Sequence, residues 1–307
     1  MKFLKRLFSE FSSDECTTLA AALAYYTAFA LPPLLYLLLT ILTFGLSVFY
    51  DSDQAQQRAQ SVLQNHAAEM IGNSSASEQI ATILENHQQQ QGRWWKTLIS
   101  LAGIVAGATG VVAALQASLN RVWNVKPDPE QSGILNLITK RLLSFAMILA
   151  LGFLLLVSLV VSSVLASVGS QLEGLVGFSG STASVVNYLV QALVVFVIFA
   201  AIFRFMPDAK VRWSDVTVGA LITTVLFLVG RFAMQKYFAY SEPGAQLGAA
   251  AASFAVLLVW VYYTAIIVLL GAEATQVYAI QYGGGVEPEA DAVRVVETLR
   301  KPKASQG

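Results

Sequence analysis

The chain of 307 residues is 56% hydrophobic and only 12% charged, with a mean hydropathy of +0.60, against roughly 25% charge in an ordinary soluble domain. Its 19 basic and 19 acidic residues cancel, which removes the electrostatic footprint of a nucleic-acid binder. The single cysteine, Cys16, excludes an intrachain disulfide and any cysteine-based metal cluster.

In chain order, Phe3, Leu4, Leu7, Phe8 and Phe11 fall on one helical face and Lys2, Lys5 and Arg6 lie opposite. Residues 1–15 therefore read as an amphipathic helix lying on the cytoplasmic membrane surface. Residues 16–50 are free of charge over 35 positions, longer than the roughly 7 to 15 residues of a signal-peptide core, so an uncleaved first span is expected over about 19–50. Pro32 and Pro33 remove two backbone donors from its middle and predict a kink.

Residues 51–96 are Gln-rich and polar, and hold both histidines, His66 and His87. Val62 with His66 and Met70, and Ile80 with Ile83 and Leu84, repeat at helical spacing, which predicts one or two amphipathic helices. Neither histidine has a cysteine or paired acid at ligand spacing, so both read as surface residues. Further spans are expected over about 97–120, 142–168, 184–203, 216–238 and 247–278. In the second, Ala102, Ala106 and Gly110 recur every four residues, as do Gly103 and Gly107, which suits either a close contact inside the bundle or the seam of a homo-oligomer. Residues 283–307 are short, charged and punctuated by Gly and Pro, and read as a flexible tail.

Fourteen of the 19 basic residues fall on one side of this layout and three, Arg58, Arg93 and Lys96, on the other. The positive-inside rule then places both termini in the cytoplasm and residues 51–96 outside. The fold class expected is an all-α polytopic bundle over 16–282, with six transmembrane helices plus interfacial and extracytoplasmic amphipathic helices.

Charge inside a span is the usual pointer to function. Arg231 falls in the outer part of the fifth span, with Gln235 on its face at i+4 and Lys236 following. These two cations either snorkel to the headgroups or, for Arg231, face the interior to bind an anion or pair with Glu242. Glu273 ends a run, Pro243–Ala272, that contains no acidic or basic residue. It falls near the cytoplasmic end, where Arg121, Arg141, Arg204 and Arg212 are the cations within reach. Trp260, Tyr262 and Tyr263 lie too deep for an interfacial belt and suit packing within the bundle.

Four stretches in order carry a family resemblance: Ala20 to Thr27 leading to Pro32-Pro33; Leu115 to Trp123, with Asn120 and Arg121; Arg204-Phe205-Met206-Pro207 with Trp213 to Ala220; and Trp260 to Glu273. Together, over roughly residues 10–280, they resemble the YihY/virulence factor BrkB family of bacterial inner-membrane proteins. The resemblance implies six helices, an extracytoplasmic insertion after the first, and a role in the cell envelope, such as serum resistance or handling of a lipopolysaccharide precursor. The family's former label, ribonuclease BN, does not suit these residues. A metal-dependent nuclease needs a His/Asp cluster, and here the histidines lie across the bilayer from cytoplasmic RNA. No Walker loop is present. No catalytic, cofactor or metal site is expected.

Two functions are left by these features. One is a transporter or flippase-like protein for an anionic envelope lipid, with Arg231, Gln235, Lys236, Glu242 and Glu273 as substrate or gating residues. In that reading Pro32, Pro33, Asn120, Arg121, Arg204, Pro207, Trp260 and Tyr263 are structural, and membrane lipids are the partners. The other is a non-transporting scaffold whose residues 51–96 bind an envelope protein.

Overall fold

The computed structural model describes residues 2–48, 50–71, 110–129, 146, 180–240 and 249–296. Helix α1 (Lys2–Ser13) turns through Asp14 and Glu15 into α2 (Cys16–Leu46), and α3 (Ser52–Ile71) follows. A helix α4 over 110–122 precedes strand β1 (Val125–Pro127). Then come α5 (Gly180–Phe205), β2 (Ala209–Lys210), α6 (Trp213–Tyr240), α7 (Ala249–Tyr282), β3 (Glu287–Pro288) and β4 (Ala292–Arg294).

Two of these helices contain stretches long and apolar enough to cross a membrane, Trp213–Tyr237 with mean hydropathy 1.9 and Ala255–Tyr282 with 2.3. Shorter apolar stretches, Cys16–Ala30 and Gln191–Phe205, belong to α2 and α5. The third expected span, 142–168, lies outside the described residues apart from position 146, as do most of the second and residues 72–109, His87 included. The fourth, fifth and sixth expected spans correspond to α5, α6 and α7. Helix α2 runs through Pro32 and Pro33 without a break in its assignment.

Helix α1 divides the apolar face read from its sequence. Leu7 is buried against the bundle while Leu4 and Phe8 are 57% and 62% exposed, so one edge of the face docks and the other stays open. Helix α3 does more than cover the surface. Ala55, Ala59 and Leu63, each four residues on, are buried, and Ala59 and Leu63 join Leu35, Leu39 and Leu42 of α2 in one apolar cluster. The predicted stripe was Val62, His66 and Met70; Val62 does pack against that cluster, and the other two side chains fall outside the description.

Helices α6 and α7 approach closely where they cross. A Cβ on Gly219 would run into the Thr275 side chain and the Gly271 carbonyl, and one on Gly271 would meet the Thr223 hydroxyl. Without side chains in the way, backbones can come together and dispersion contacts hold them. The small-residue stripe foreseen in the second span is described only at Gly110, where an added Cβ would meet nothing within 4 Å. Further along the same seam Phe199, Phe227, Trp260 and Tyr263 stack in sequence, with successive ring centroids 5.9, 5.5 and 6.0 Å apart.

The expected flexible tail is instead ordered over residues 287–294. Strand β4 pairs antiparallel with β1, Val125 opposite Arg294, and β3 pairs with β2, Ala209 opposite Pro288. The architecture is thus helical with two short ribbons at one end. Backbone bonds extend them: Asp128 N–H donates to Asp291 O, Glu289 N–H to Asp208 O, and Val295 N–H to Asn124 O. The segment is ordered because loops that would otherwise expose unpaired backbone groups find partners in it.

Candidate functional site

The ribbon end gathers the chain's polar chemistry, and local sequence explains how. Helix α4 stops at Asn124, which takes a left-handed conformation (φ 53°), one that Asn adopts more readily than other side chains. Helix α5 stops at Pro207, which has no N–H to continue it. These two terminations set Gln116 and Asn120, one turn apart on α4, against Asp208.

The contact between them is reciprocal. Asn120 Nδ2 donates to Asp208 Oδ2 at 2.7 Å, and Asp208 N–H donates back to Asn120 Oδ1 at 2.8 Å. Gln116 Nε2 donates to Asp208 Oδ1 at 3.1 Å. Asn120 and Asp208 are both buried, so a carboxylate is taken from water and given fixed N–H donors in exchange. Asn120 and Pro207 were expected to be structural, and the geometry ties together the stretches that hold them.

Above this pair opens a cavity of about 340 Å³. Gln116, Asn120 and Asp208 line it, Asp14 forms part of another wall, and Arg121 and Lys126 contribute positive charge. Both cations are exposed. Arg121 Nε also donates to the backbone carbonyl of Asp14 at 3.4 Å, joining the end of α4 to the α1–α2 turn. The cavity therefore offers amide donors and two cations beside two carboxylates, a set suited to a polar headgroup that bears both phosphate and hydroxyl or amine groups.

Glu273 lies behind the Asp14 wall and is fully buried. Its expected partners were cations; among the described residues the Cys16 thiol donates to Glu273 Oε1 at 3.4 Å. Arg204 Nη1 donates to Val211 O at 2.6 Å with its guanidinium 6.0 Å from the Trp213 ring, Arg212 is exposed, and Arg141 lies outside the described residues. Helix α1 docks on α7, and this brings the start of α2 to Glu273.

Far along α6, half-buried Arg231 donates from Nη1 to Gln191 Oε1 of α5 at 3.0 Å. It faces a neighbouring helix. Gln235 and Lys236 are exposed, and the Lys236 ammonium sits 5.6 Å from the Phe232 ring; neither joins Arg231 in a cluster. Glu242 is outside the described residues. Tyr263 donates its hydroxyl to Leu226 O at 2.7 Å and Trp260 is buried, which makes both packing residues of the α6–α7 seam.

Sequence reasoning missed Gln116, Asp208, Asp14 and Cys16 as site residues. The i,i+4 spacing of Gln116 and Asn120 was a usable signal for the first. Nothing local marks Asp14, whose role comes from a helix contacted much later in the chain.

Comparison with known proteins comes to the same class of molecule. The family model described as virulence factor BrkB matches residues 7–295. A UPF0761 membrane protein of Psychromonas ingrahamii is 24% identical over 278 residues, 89% of this chain and 86% of that one. Another, from Pseudoalteromonas translucida, is 27% identical over 269 residues, 85% and 81% of the two chains. A third, from Halorhodospira halophila, is 25% identical, and the match spans 89% of this chain but 56% of that longer protein. No solved structure matches the chain.

Proposed function

From the premise that this chain belongs to the virulence factor BrkB family of membrane proteins, we propose that it is a six-span transporter or flippase-like protein of the bacterial inner membrane. Its cargo is an anionic envelope lipid or lipopolysaccharide precursor, both termini are cytoplasmic, and it catalyses no covalent chemistry. The observation that carries this reading is the cavity at the ribbon end, where Arg121 and Lys126 stand over the Gln116–Asn120–Asp208 network. Beside it lies α1, whose exposed Leu4 and Phe8 suit the surface from which a lipid headgroup would enter.

Connectivity supports the orientation. Helices α4, α5 and α7 arrive at the ribbon end and α2 and α6 depart from it, and the basic residues of its loops, including Lys126, Lys210 and Arg294, favour an inward orientation of that end. Arg231 with Gln191 gives a second polar station toward the other face. A lipid moving between faces would meet one station and then the other.

The test is mass spectrometry of lipid copurified from gently extracted protein. Wild type is expected to retain one anionic lipid above its bulk fraction, Arg121→Ala/Lys126→Ala to lose it, and Arg231→Ala to weaken it. A bulk profile in all three overturns the cavity as a headgroup site. Reconstituted protein that moves no lipid overturns transport.

A scaffold reading is favoured by one feature, the outward polar face of α3, with Gln57, Arg58 and Ser61 exposed. Deleting the insertion would uncover Leu35, Leu39 and Leu42, so the informative change is surface charge reversal, Arg58→Glu with Gln57→Glu. Loss of an envelope phenotype with lipid movement intact would support a protein partner there.

A further inference from the structure

The corner between α5 and α6 presents a surface that the cavity does not use. Phe205 closes α5 and Trp213 opens α6. They are 61% and 55% exposed, and their rings meet edge to face with centroids 5.9 Å apart. The apolar stretches of the two helices, Gln191–Phe205 and Trp213–Tyr237, end on these residues. That is the depth at which hydrocarbon gives way to headgroups, where an aromatic ring beside a polar group is best accommodated.

Cations stand beside the rings. Arg204, in the last turn of α5, holds its guanidinium 6.0 Å from the Trp213 ring. It gives one N–H to Val211 O at 2.6 Å, and its buried Nε meets no acceptor among the described residues. A guanidinium carries its N–H donors in a planar fork, so this one is fixed in place with donors to spare. Arg212 is exposed next to Trp213. Lys210 is exposed as well, but Glu287 stands opposite it in the β2–β3 ribbon, so its charge has an acid across the strands. The two acids of the corner itself are turned inward. Asp208 and Asp215 are both buried, Asp208 bonded to Asn120 and Asp215 Oδ1 accepting the Ser214 hydroxyl at 3.1 Å. The exposed side of residues 204–215 is therefore aromatic and cationic, with no carboxylate to receive an ammonium group.

We propose that this corner binds one anionic phospholipid from the leaflet on the ribbon side. The phosphate accepts the remaining N–H groups of Arg204, whose fork matches phosphate oxygens, and Arg212 adds charge from the loop. The Phe205–Trp213 pair lies along the glycerol and the upper acyl chains. Inorganic phosphate would engage the cations and leave both rings bare; an amphipathic ligand covers rings and cations together. A zwitterionic headgroup brings an ammonium that finds no acid here. This lipid is a resident of the bundle surface and not the cargo, because neither the two arginines nor the two rings belong to the lining of the cavity. The inference needs α5 and α6 to lie in a bilayer and does not need transport.

The test is native mass spectrometry of the full chain, released from detergent and titrated with phosphatidylglycerol or phosphatidylethanolamine. Wild type is expected to retain one phosphatidylglycerol under conditions where phosphatidylethanolamine does not stay bound. Arg204→Gln and Arg212→Gln are each expected to weaken that binding about tenfold, through loss of a charge-assisted contact. Arg212→Gln alters an exposed side chain and carries the test if Arg204→Gln fails to fold. Unchanged binding in either folded variant overturns the site. Equal retention of the two lipids overturns its charge selectivity, and displacement of the lipid by excess inorganic phosphate overturns the lipid as occupant. Arg121→Ala/Lys126→Ala separates the corner from the cavity. Retention there, with loss in the corner variants, supports the corner whether or not the protein moves lipid. Loss in every variant means one shared site and overturns a separate one. Loss confined to the cavity variant overturns the corner and leaves the cavity reading standing.

Discussion

Asn120 and Asp208 are the clearest case of residues whose identity is dictated by each other. Asn120→Ala withdraws one donor from the buried carboxylate and the acceptor of the Asp208 N–H. The expected loss is about 1–3 kcal/mol of stability per buried group left unsatisfied, read as earlier thermal unfolding in detergent. Gly219 and Gly110 make a pair of opposite sign. A methyl at Gly219 meets Thr275 and the Gly271 carbonyl, a neighbour that cannot rotate away, whereas Gly110 has open space. Gly219→Ala is expected to destabilise by about 1–3 kcal/mol, and Gly110→Ala to be neutral or to stabilise by up to about 1 kcal/mol. Equal effects at the two positions would disprove the close approach of α6 and α7. Tyr263→Phe deletes a single hydrogen bond to Leu226 O while preserving the ring stack, and about 0.5–1.5 kcal/mol is the expected cost.

Among the elements, α3 and the C-terminal ribbons show where sequence patterns inform and where they fall silent. Helices α5, α6 and α7 were legible because long uncharged runs have few alternatives in a chain this apolar. The helical character of α1 and of α3 was legible too. Strands of two or three residues are too short for any period to register. What orders β1 and β2 is a partner more than seventy positions away, so residues 283–296 read as an ordinary charged tail. The Cys16–Glu273 contact spans 257 positions, and no local pattern predicts it. Leu63→Asp tests the docking of α3. A charge placed against Leu35, Leu39 and Leu42 is expected to release the helix and speed backbone hydrogen exchange over 52–64. Unchanged exchange would mean that the buried side of α3 is held by something other than this cluster.

For the whole molecule, the arrangement of chain ends predicts sidedness. Cys16 is buried, so the native protein is a low-background host for single-cysteine labelling. A cysteine at Val296, which is 76% exposed, is expected to react with an impermeant thiol reagent only after the inner face is opened. One at Ser61 is expected to react from outside. Labelling of both from one side would invalidate the alternating course of the helices and with it the inward-facing cavity.

The ribbons also impose an order on biogenesis. Strands β1 and β2 leave the ribosome before the helices that follow them, and β3 and β4 only after α7. The ends of α4 and α5, joined to each other only through side chains such as Asn120 and Asp208, must therefore wait for their strands' partners until the last helix has been inserted. Closure of the two ribbons is an event that a chain arrested before α7 cannot reach, so it marks completed insertion. A molecule stopped short would present the loops over 123–129 and 206–212 to proteases without their strand partners, and a finished one would not.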